Sequence, residues 1–347
     1  MNADIKFEII TPCILAGADQ KKAEMRIPSI RGQLRWWSRA LGYEDMPEVF
    51  GGAGDKNAKA SILIIRDLTE SLKWDVKNGV ELSGKKFDYF LWPMRGTRHD
   101  PSAGNRGVIS ADQEIHIAIS EKKLKTDVTL PEEVLKSFLL LGSLGTRSRR
   151  AYGSIYPTDV IIDGETWNIP STIDELKSEL DSILDSAAGC YIRTLTDRAC
   201  KDYKYAVNKC ADYLKTFRCG SKRSGTPSKW GKNDHDARFR EVECLYRPAV
   251  GLPLTQRYSD KTTIQTEVSG FDRLASPVHF KVIKLKDGYW PIVIIFPGHS
   301  EVAGREAVLK NRGKAVREAV IDNELLIEMM FPEKSQWKEG FKLGDFR

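Results

Sequence analysis

Two groups of arginines have the spacing that recognition of a phosphate backbone would require. Arg31, Arg35 and Arg39 follow one another at intervals of four residues. On a helix, at about 100° per residue, this spacing places the three side chains in one stripe. A guanidinium is a planar fork of hydrogen-bond donors that matches a phosphate group, so such a stripe suits a polyanionic ligand. The alternative interpretation is a solvated basic face that binds nothing.

The second group lies in a glycine-bracketed stretch, residues 142–155, which reads Gly-Ser-Leu-Gly-Thr-Arg-Ser-Arg-Arg-Ala-Tyr-Gly-Ser-Ile. Its arginines are Arg147, Arg149 and Arg150. A glycine such as Gly145 lets backbone amides approach an anion closely, and the ring of Tyr152 suits stacking on a base. Together these residue types predict a loop that contacts RNA.

A third basic stretch, residues 218–240, contains an aromatic residue among its cations. The candidate RNA contacts here are Lys222, Arg223, Lys229 and Trp230. We predict a basic loop. The alternative is a disordered surface insertion, against which Trp230 argues because disordered segments are poor in aromatic residues.

The first arginine stripe is predicted to lie on a helix over residues 27–41. Pro28 and Ser29 are typical of a helix entrance. The apolar face is formed by residues at offsets of four, three and four: Ile30, Leu34, Trp37 and Leu41. That face is expected to pack in the core, with the arginines beside it.

Strand-like and helix-like segments alternate through the first half of the chain. Strands are predicted at residues 6–11, 60–66, 87–92, 114–119 and 155–162, and helices at 27–41 and 131–141. The order strand, helix, strand, strand, helix, strand over residues 5–162 is that of a ferredoxin-like domain, a topology shared by RNA-recognition modules. Residues 93–107 are predicted to form a flexible basic loop within it.

The second half predicts a more decorated α+β domain of the same kind. A helical pattern begins at residue 173, and residues 278–285 and 289–296 form a hairpin hinged at Asp287-Gly288. Residues 304–328 have a helical character. The predicted fold class is therefore α+β, with two ferredoxin-like (RRM-like) domains packed together, over residues 1–165 and 166–347.

Composition fits a globular chain with about two domains. The 347 residues are 41% hydrophobic and 29% charged, with a formal net charge of +6. No apolar run reaches the 18 residues that a membrane span needs, so a cytoplasmic protein without membrane contact is expected. None of the six cysteines forms a Cys-x-x-Cys pair, which favours free thiols. Cys190, Cys200 and Cys210 are spaced to share one side of a helix.

The sequence predicts neither a metal site nor a cofactor. Its five histidines form no His-x-x-x-His pair, and no Gly-x-Ser-x-Gly motif is present. The glycines at residues 51–54 lack the Gly-Lys-Ser/Thr of a phosphate-binding loop. The alternative to binding alone is metal-independent RNA cleavage, with His99 beside Arg98, or His235 near Lys232, as general base.

Several segments together resemble the first Cmr subunit of type III-B CRISPR effector complexes, a family of the RAMP superfamily. The segments are Thr11-Pro12 followed by Gly17-Ala18, residues 26–41, Phe50-Gly51-Gly52 and residues 144–154, with residues 228–230 and 273–277 further along. The chain departs from the family where Leu144-Gly145-Thr146 replaces a glycine pair and Ala151 replaces a second glycine.

The resemblance implies a non-catalytic subunit of a CRISPR ribonucleoprotein in antiviral defence. Its partners would be other subunits of the Cmr complex and single-stranded guide or target RNA, near the 3′ end of the guide. The helix role falls on Arg31, Arg35 and Arg39, and the loop role on Gly145 and the arginines at 147, 149 and 150. Nuclease activity would belong to other subunits. The alternative is a RAMP-superfamily endoribonuclease that processes guide RNA.

Overall fold

A computed structural model describes residues 1–43, 46–52, 58–83, 89–97, 99–122, 128–184, 189–221 and 226–331. The first half contains strands β1 (Asn2–Ile9), β2 (Leu63–Asp67), β3 (Trp74–Lys77), β4 (Arg106–Ile109), β5 (Gln113–Glu121), β6 (Ile155–Ile162) and β7 (Glu165–Thr166). Its helices are α1 (Ile27–Ala40), α2 (Pro47–Phe50), α3 (Gly79–Ser83) and α4 (Glu132–Leu141). The chain is therefore a mixed α/β protein, as predicted at that level.

The first half is built on an antiparallel sheet with the strand order β2-β5-β1-β6-β7. Alternate residues of the central strand β1, from Ala3 to Ile9, are buried, so one face of the sheet belongs to the core. Helices α1 and α4 pack against each other, and α4 also packs against β6. The predicted succession of four strands and two helices is present, with β3, α3 and β4 placed between β2 and β5.

The second half contains two further main sheets. Its strands are β8 (Tyr191–Thr194), β9 (Gly220–Ser221), β10 (Thr226–Pro227), β11 (Cys244–Leu245), β12 (Leu254–Arg257), β13 (Thr263–Val268), β14 (Val278–Leu285), β15 (Gly288–Ile295), β16 (Glu306–Asn311) and β17 (Lys314–Ile321). Its helices are α5 (Ile173–Ile183), α6 (Tyr203–Cys219), α7 (Lys229–Asp236) and α8 (Glu324–Met330). The sheet orders are β14-β15-β8 and β11-β17-β16-β13-β12.

One apolar core joins the two halves. It runs from the first sheet through α4 to α6 and the β14-β15 hairpin, so that Phe7, Phe138 and Phe280 belong to the same buried cluster. A second, smaller apolar cluster packs on the sheet β11-β17-β16-β13-β12 and contains Leu254, Ile264 and Leu309. Strand β14, which lies in the main cluster, therefore faces residues far away in the sequence.

Two predicted elements are wrong, each because the pattern fits more than one structure. Residues 89–92 of the strand expected at 87–92 belong to a 3₁₀ helix, Tyr89–Met94, which buries Phe90, Leu91 and Met94. Pro93 lacks the backbone donor that a strand ladder needs, and residues 87 and 88 lie outside the described part. Within residues 304–328, β16 and β17 form a hairpin. Its two turn residues, Arg312 and Gly313, have φ of 48° and 80°, as a two-residue hairpin turn requires.

The two predicted basic loops are also more ordered than expected. Residues 218–240 contain the end of α6, a short β9-β10 ribbon and α7, whose N-terminus is capped by Ser228. Residues 93–107 contain a second 3₁₀ helix, Pro101–Gly104, and the start of β4. The cysteines do not share one helix side, because only Cys210 of the three lies in α6, although all three are buried.

Candidate nucleic-acid interface

The glycine-bracketed stretch folds back on itself beside the segment that follows β1. We call residues 142–154 the arginine loop. The amide of Leu144 donates to the carbonyl of Gly153 at 2.8 Å, which closes the loop. The amide of Gly153 in turn donates to Pro12 at 3.0 Å, and that of Thr146 to Ile14 at 2.8 Å. The loop is therefore held rigidly against the sheet.

Glycines are required in this loop by the fold of the chain itself. Gly145 and Gly153 have φ of 79° and 65°. A Cβ added at Gly153 would lie 2.0 Å from the carbonyl oxygen of Leu144, and one at Gly145 would lie 2.4 Å from that of Ile14. Ala151 also has a positive φ, 62°, so it keeps the backbone conformation that glycine favours.

Arg150 is directed into the protein and ties the two halves together. Its Nη1 donates to the carbonyl of Val278 at 2.8 Å, and its guanidinium lies 5.9 Å from the centre of the Phe280 ring. Burial, together with Arg218 and Arg147 nearby, lowers the pKa of Arg150 to about 9. The donors of Arg150 therefore serve the packing of β14 against the loop, and its contact with RNA stays a prediction.

Arg147 and Arg149 are the loop arginines that retain the potential to bind an anion. Burial lowers the pKa of both, and in the described part of the chain neither pairs with a carboxylate. Arg149 donates once, from Nη1 to the carbonyl of Ser276 at 2.9 Å, and lies over the ring of Trp36 at 5.5 Å. A half-buried guanidinium without an acidic partner is stabilised by an incoming phosphate or carbonyl oxygen.

The arginine stripe of α1 lies on a different side of the helix from the arginine loop. Arg31 donates from Nη2 to the carbonyl of Leu63 at 2.9 Å, and Arg35 donates to the carbonyl of Gly51. Arg39 is exposed. Two of the three stripe arginines thus hold neighbouring backbone segments, and the structure does not bring the two arginine groups into one surface.

A groove separates the arginine loop from the side of α1 that lies opposite the arginine stripe. We call it the α1 groove; it consists of two adjoining cavities that share Gly32 and Gln33 as lining residues. The wider cavity, about 360 Å³, is lined also by Ser29, Arg106 and Thr146. The narrower cavity, about 180 Å³, reaches Trp36, Arg149 and His279. Among the described residues that line the two cavities none is acidic, so the groove suits an anionic strand.

Sequence reasoning missed His279 as a groove residue. His279 lies on β14 as part of the run Val-His-Phe-Lys-Val, in which two polar residues occur at buried positions. A buried histidine and a buried lysine in an otherwise apolar strand are the signal that could have indicated a polar site.

The two aromatic residues expected to stack on bases are in the core. Tyr152 and Trp230 are each 4% exposed. Trp230 packs edge-on against Tyr246 at 4.7 Å, with the exposed Lys229 ammonium 3.9 Å from its ring centre. Both rings are therefore packed inside the protein, and an RNA contact of either residue stays a prediction. Lys222 and Arg223 lie outside the described residues.

The residues considered for catalysis are His99 with Arg98 and His235 with Lys232. His99 is exposed, and Arg98 lies outside the described residues. The His235 ring packs on Tyr258 at 4.4 Å and its Nδ1 lies 3.9 Å from an oxygen of Asp236.

Over the described ranges, no three histidine, cysteine or carboxylate side chains are grouped to hold a metal ion. In those same ranges, no helix is long and apolar enough to span a membrane.

Comparison with known proteins relates the chain to one family. Residues 6–156 match the family model described as the RAMP superfamily. CRISPR system Cmr subunit Cmr1-1 of Pyrococcus furiosus is 24% identical over 312 residues, which cover 82% of this chain and 85% of the relative. Cmr subunit Cmr1-2 of the same organism is 27% identical over 179 residues, 43% of this chain and 90% of the relative. The family resemblance found in the sequence is confirmed.

Solved structures share the fold. The crystal structure of apo Cmr1 from Pyrococcus furiosus has a TM-score of 0.56 at 18% identity and covers 85% of this chain and 88% of its own. A chain of the type III-B Cmr-beta complex bound to cognate target RNA has a TM-score of 0.50 at 12% identity, covering 95% and 98%. The mixed α/β architecture is therefore that of a known fold.

Proposed function

We propose that this chain, whose residues 6–156 match the RAMP superfamily, is the Cmr1-type subunit of a type III-B CRISPR effector complex and binds single-stranded RNA there. Two curated relatives are Cmr subunits, and one structure of similar fold belongs to a complex bound to target RNA. The proposal includes the other Cmr subunits as partners, a role in antiviral defence and a cytoplasmic location.

The α1 groove, which Arg149 lines and whose lining residues Thr146 and Ser148 adjoin Arg147 in the chain, is the observation that carries the RNA-binding part. Phosphates of a single strand would follow the wider cavity past Arg106, and Arg149 would mark the narrower end. Both loop arginines lack an acidic partner in the described part of the chain. Because contacts to phosphates are electrostatic and do not read bases, we expect the affinity for RNA to depend only weakly on which base occupies most positions of the strand.

We also propose that the chain is built from two ferredoxin-like domains, over residues 1–165 and 166–347. In the first, the order β2-β5-β1-β6 is that of four strands in a strand-helix-strand-strand-helix-strand unit. In the second, β8, α6, β14 and β15 follow one another with the order β14-β15-β8, which repeats the first three strands of that unit. The sheet β11-β17-β16-β13-β12 is then a decoration, with β11 to β13 placed between α6 and β14 and with β16 and β17 placed after β15.

We further propose that the chain does not cleave RNA. Neither of the two histidines that the sequence offered as a general base, His99 and His235, lines the α1 groove.

The test is RNA binding by the full chain in EDTA over a series of salt concentrations. Labelled single-stranded RNA should remain intact, and log affinity should fall against log salt by about 0.7 per phosphate contacted. The double variant Arg147→Gln with Arg149→Gln should weaken binding and reduce that slope by about 1 to 2 phosphate contacts. Arg257→Gln, an exposed arginine on β12, is the matched control and should bind as the parent does.

Three results would contradict the proposal. Equal salt slopes for the double variant and the control would remove the α1 groove as the RNA site. Absence of RNA binding at low salt would favour an adaptor that contacts only proteins. Cleavage in EDTA would favour the endoribonuclease alternative, and His99→Ala and His235→Ala would then identify the base.

A further inference from the structure

The narrower cavity of the α1 groove contains a buried polar atom without a partner. Within the described part of the chain, Nε2 of His279 has no hydrogen-bond partner, although the residue is only 9% exposed. The imidazole ring lies 4.8 Å from the ring centre of Trp36 and 5.3 Å from that of Phe296. A buried acceptor or donor left unpaired costs free energy, which makes the atom a recognition point for a ligand.

The surroundings of His279 determine which role this nitrogen has. The backbone of Ser276 favours the protonated ring, and because Nε2 has no partner among the described residues, the proton of the neutral ring is assigned to Nδ1. Burial, with Arg149 and Arg150 nearby, lowers the pKa of His279 well below its usual value, so the ring is neutral. In a neutral imidazole whose Nδ1 carries the proton, Nε2 is an acceptor.

The cavity therefore offers one acceptor beside one cation. Arg149 also lines it and has N–H groups beyond the one bound to Ser276. The indole of Trp36 and the ring of Phe280 supply apolar walls. A volume of about 180 Å³ has room for about six water molecules, which is the scale of one small ring rather than a whole nucleotide.

We propose that this cavity receives one unpaired base of the bound RNA and that the base it fits is uracil. The N3–H group of uracil would donate to His279 Nε2, and the adjacent carbonyl would accept from Arg149. Adenine and guanine both add a second ring, which exceeds the scale of this cavity, and cytosine has no N3–H group. The inference rests on the proposed RNA binding, because the rest of the strand would lie along the wider cavity.

The test compares uridine and adenosine decamers in the same salt series with the full chain. Two hydrogen bonds to a base edge discriminate by about 1–3 kcal/mol, so the uridine decamer should bind about tenfold more tightly. His279→Phe keeps the packing against Trp36 and removes the acceptor, so it should abolish the preference while leaving the salt slope unchanged. His299→Phe is the matched control, because His299 also contacts Trp36 at 5.8 Å but does not line the cavity.

The outcomes separate this inference from the proposed function. If both decamers bind equally with a normal salt slope, RNA binding stands and the uracil pocket is wrong. If the preference persists in His279→Phe, another site reads the base. If neither decamer binds, both proposals are wrong.

Discussion

Ala151 shows at the scale of one residue what a positive φ costs in the arginine loop. Its φ of 62° costs an alanine about 1–2 kcal/mol that glycine would not incur. Ala151→Gly relieves that strain. It also removes a buried methyl group and makes the unfolded chain more flexible, so that more conformational entropy is lost on folding. The favourable and unfavourable contributions to stability therefore nearly cancel. We expect the free energy of unfolding to change by less than about 0.5 kcal/mol, as measured by urea denaturation.

The matched control is Ala206→Gly, since Ala206 is equally buried but lies within α6. There the variant loses a methyl group and helix propensity with no strain to relieve, so it should lower the free energy of unfolding by about 2 kcal/mol. Equal losses for the two variants would mean that the positive φ of Ala151 carries no strain.

The arginine loop as an element depends on close contact between its own two arms. Gly153→Ala would combine an unfavourable φ with a Cβ 2.0 Å from a backbone oxygen that cannot rotate away. Gly164→Ala has an even larger φ, 91°, but meets nothing within 4 Å. We expect Gly164→Ala to lower the free energy of unfolding by about 1 kcal/mol, and Gly153→Ala by about 1–3 kcal/mol more. Equal values in urea denaturation would show that the arms can separate freely.

Elements with a local signal could be predicted from the sequence, and elements defined by pairing could not. The helix predicted at residues 27–41 occupies Ile27–Ala40, because its apolar spacing and its proline act within one helix. The β16-β17 hairpin was predicted as helix, since Leu309 faces its sheet only through pairing with distant β13. A strand whose buried side is determined by its partner strands shows no clear hydrophobic period within a short segment of sequence.

The residue types of the candidate site could be predicted from the sequence, but the directions in which their side chains point could not. The sequence located the arginines at 147, 149 and 150, yet spacing does not tell which of them points inward. Arg150 does so because Val278 and Phe280, which are about 130 residues away, supply its acceptor and its apolar contact. His279 joins the groove for the same reason, since β14 packs against the loop. Contacts between the two halves therefore decide which side chains remain available to a ligand.

At the scale of the whole molecule, Lys281 joins the two halves and makes their contact depend on pH. It is fully buried on β14, and its Nζ donates to the carbonyl of Gly142 at 2.7 Å. Burial holds the pKa of Lys281 well below its usual value. The unfolded chain then binds more protons than the folded one at every pH between the lowered pKa and about 10.4, so the lysine's contribution to stability rises with pH. In Lys281→Met this contribution is absent.

We therefore expect the change in free energy of unfolding from pH 6 to pH 9 to be more positive in the parent than in Lys281→Met. Comparing each variant with the parent at both pH values cancels the other groups that titrate in this range. Lys286→Met, an exposed lysine next to the same hairpin, should follow the parent. If Lys281→Met also follows the parent, the ammonium keeps an ordinary pKa in the folded state. The junction between the halves would then have to admit enough water to solvate a charge.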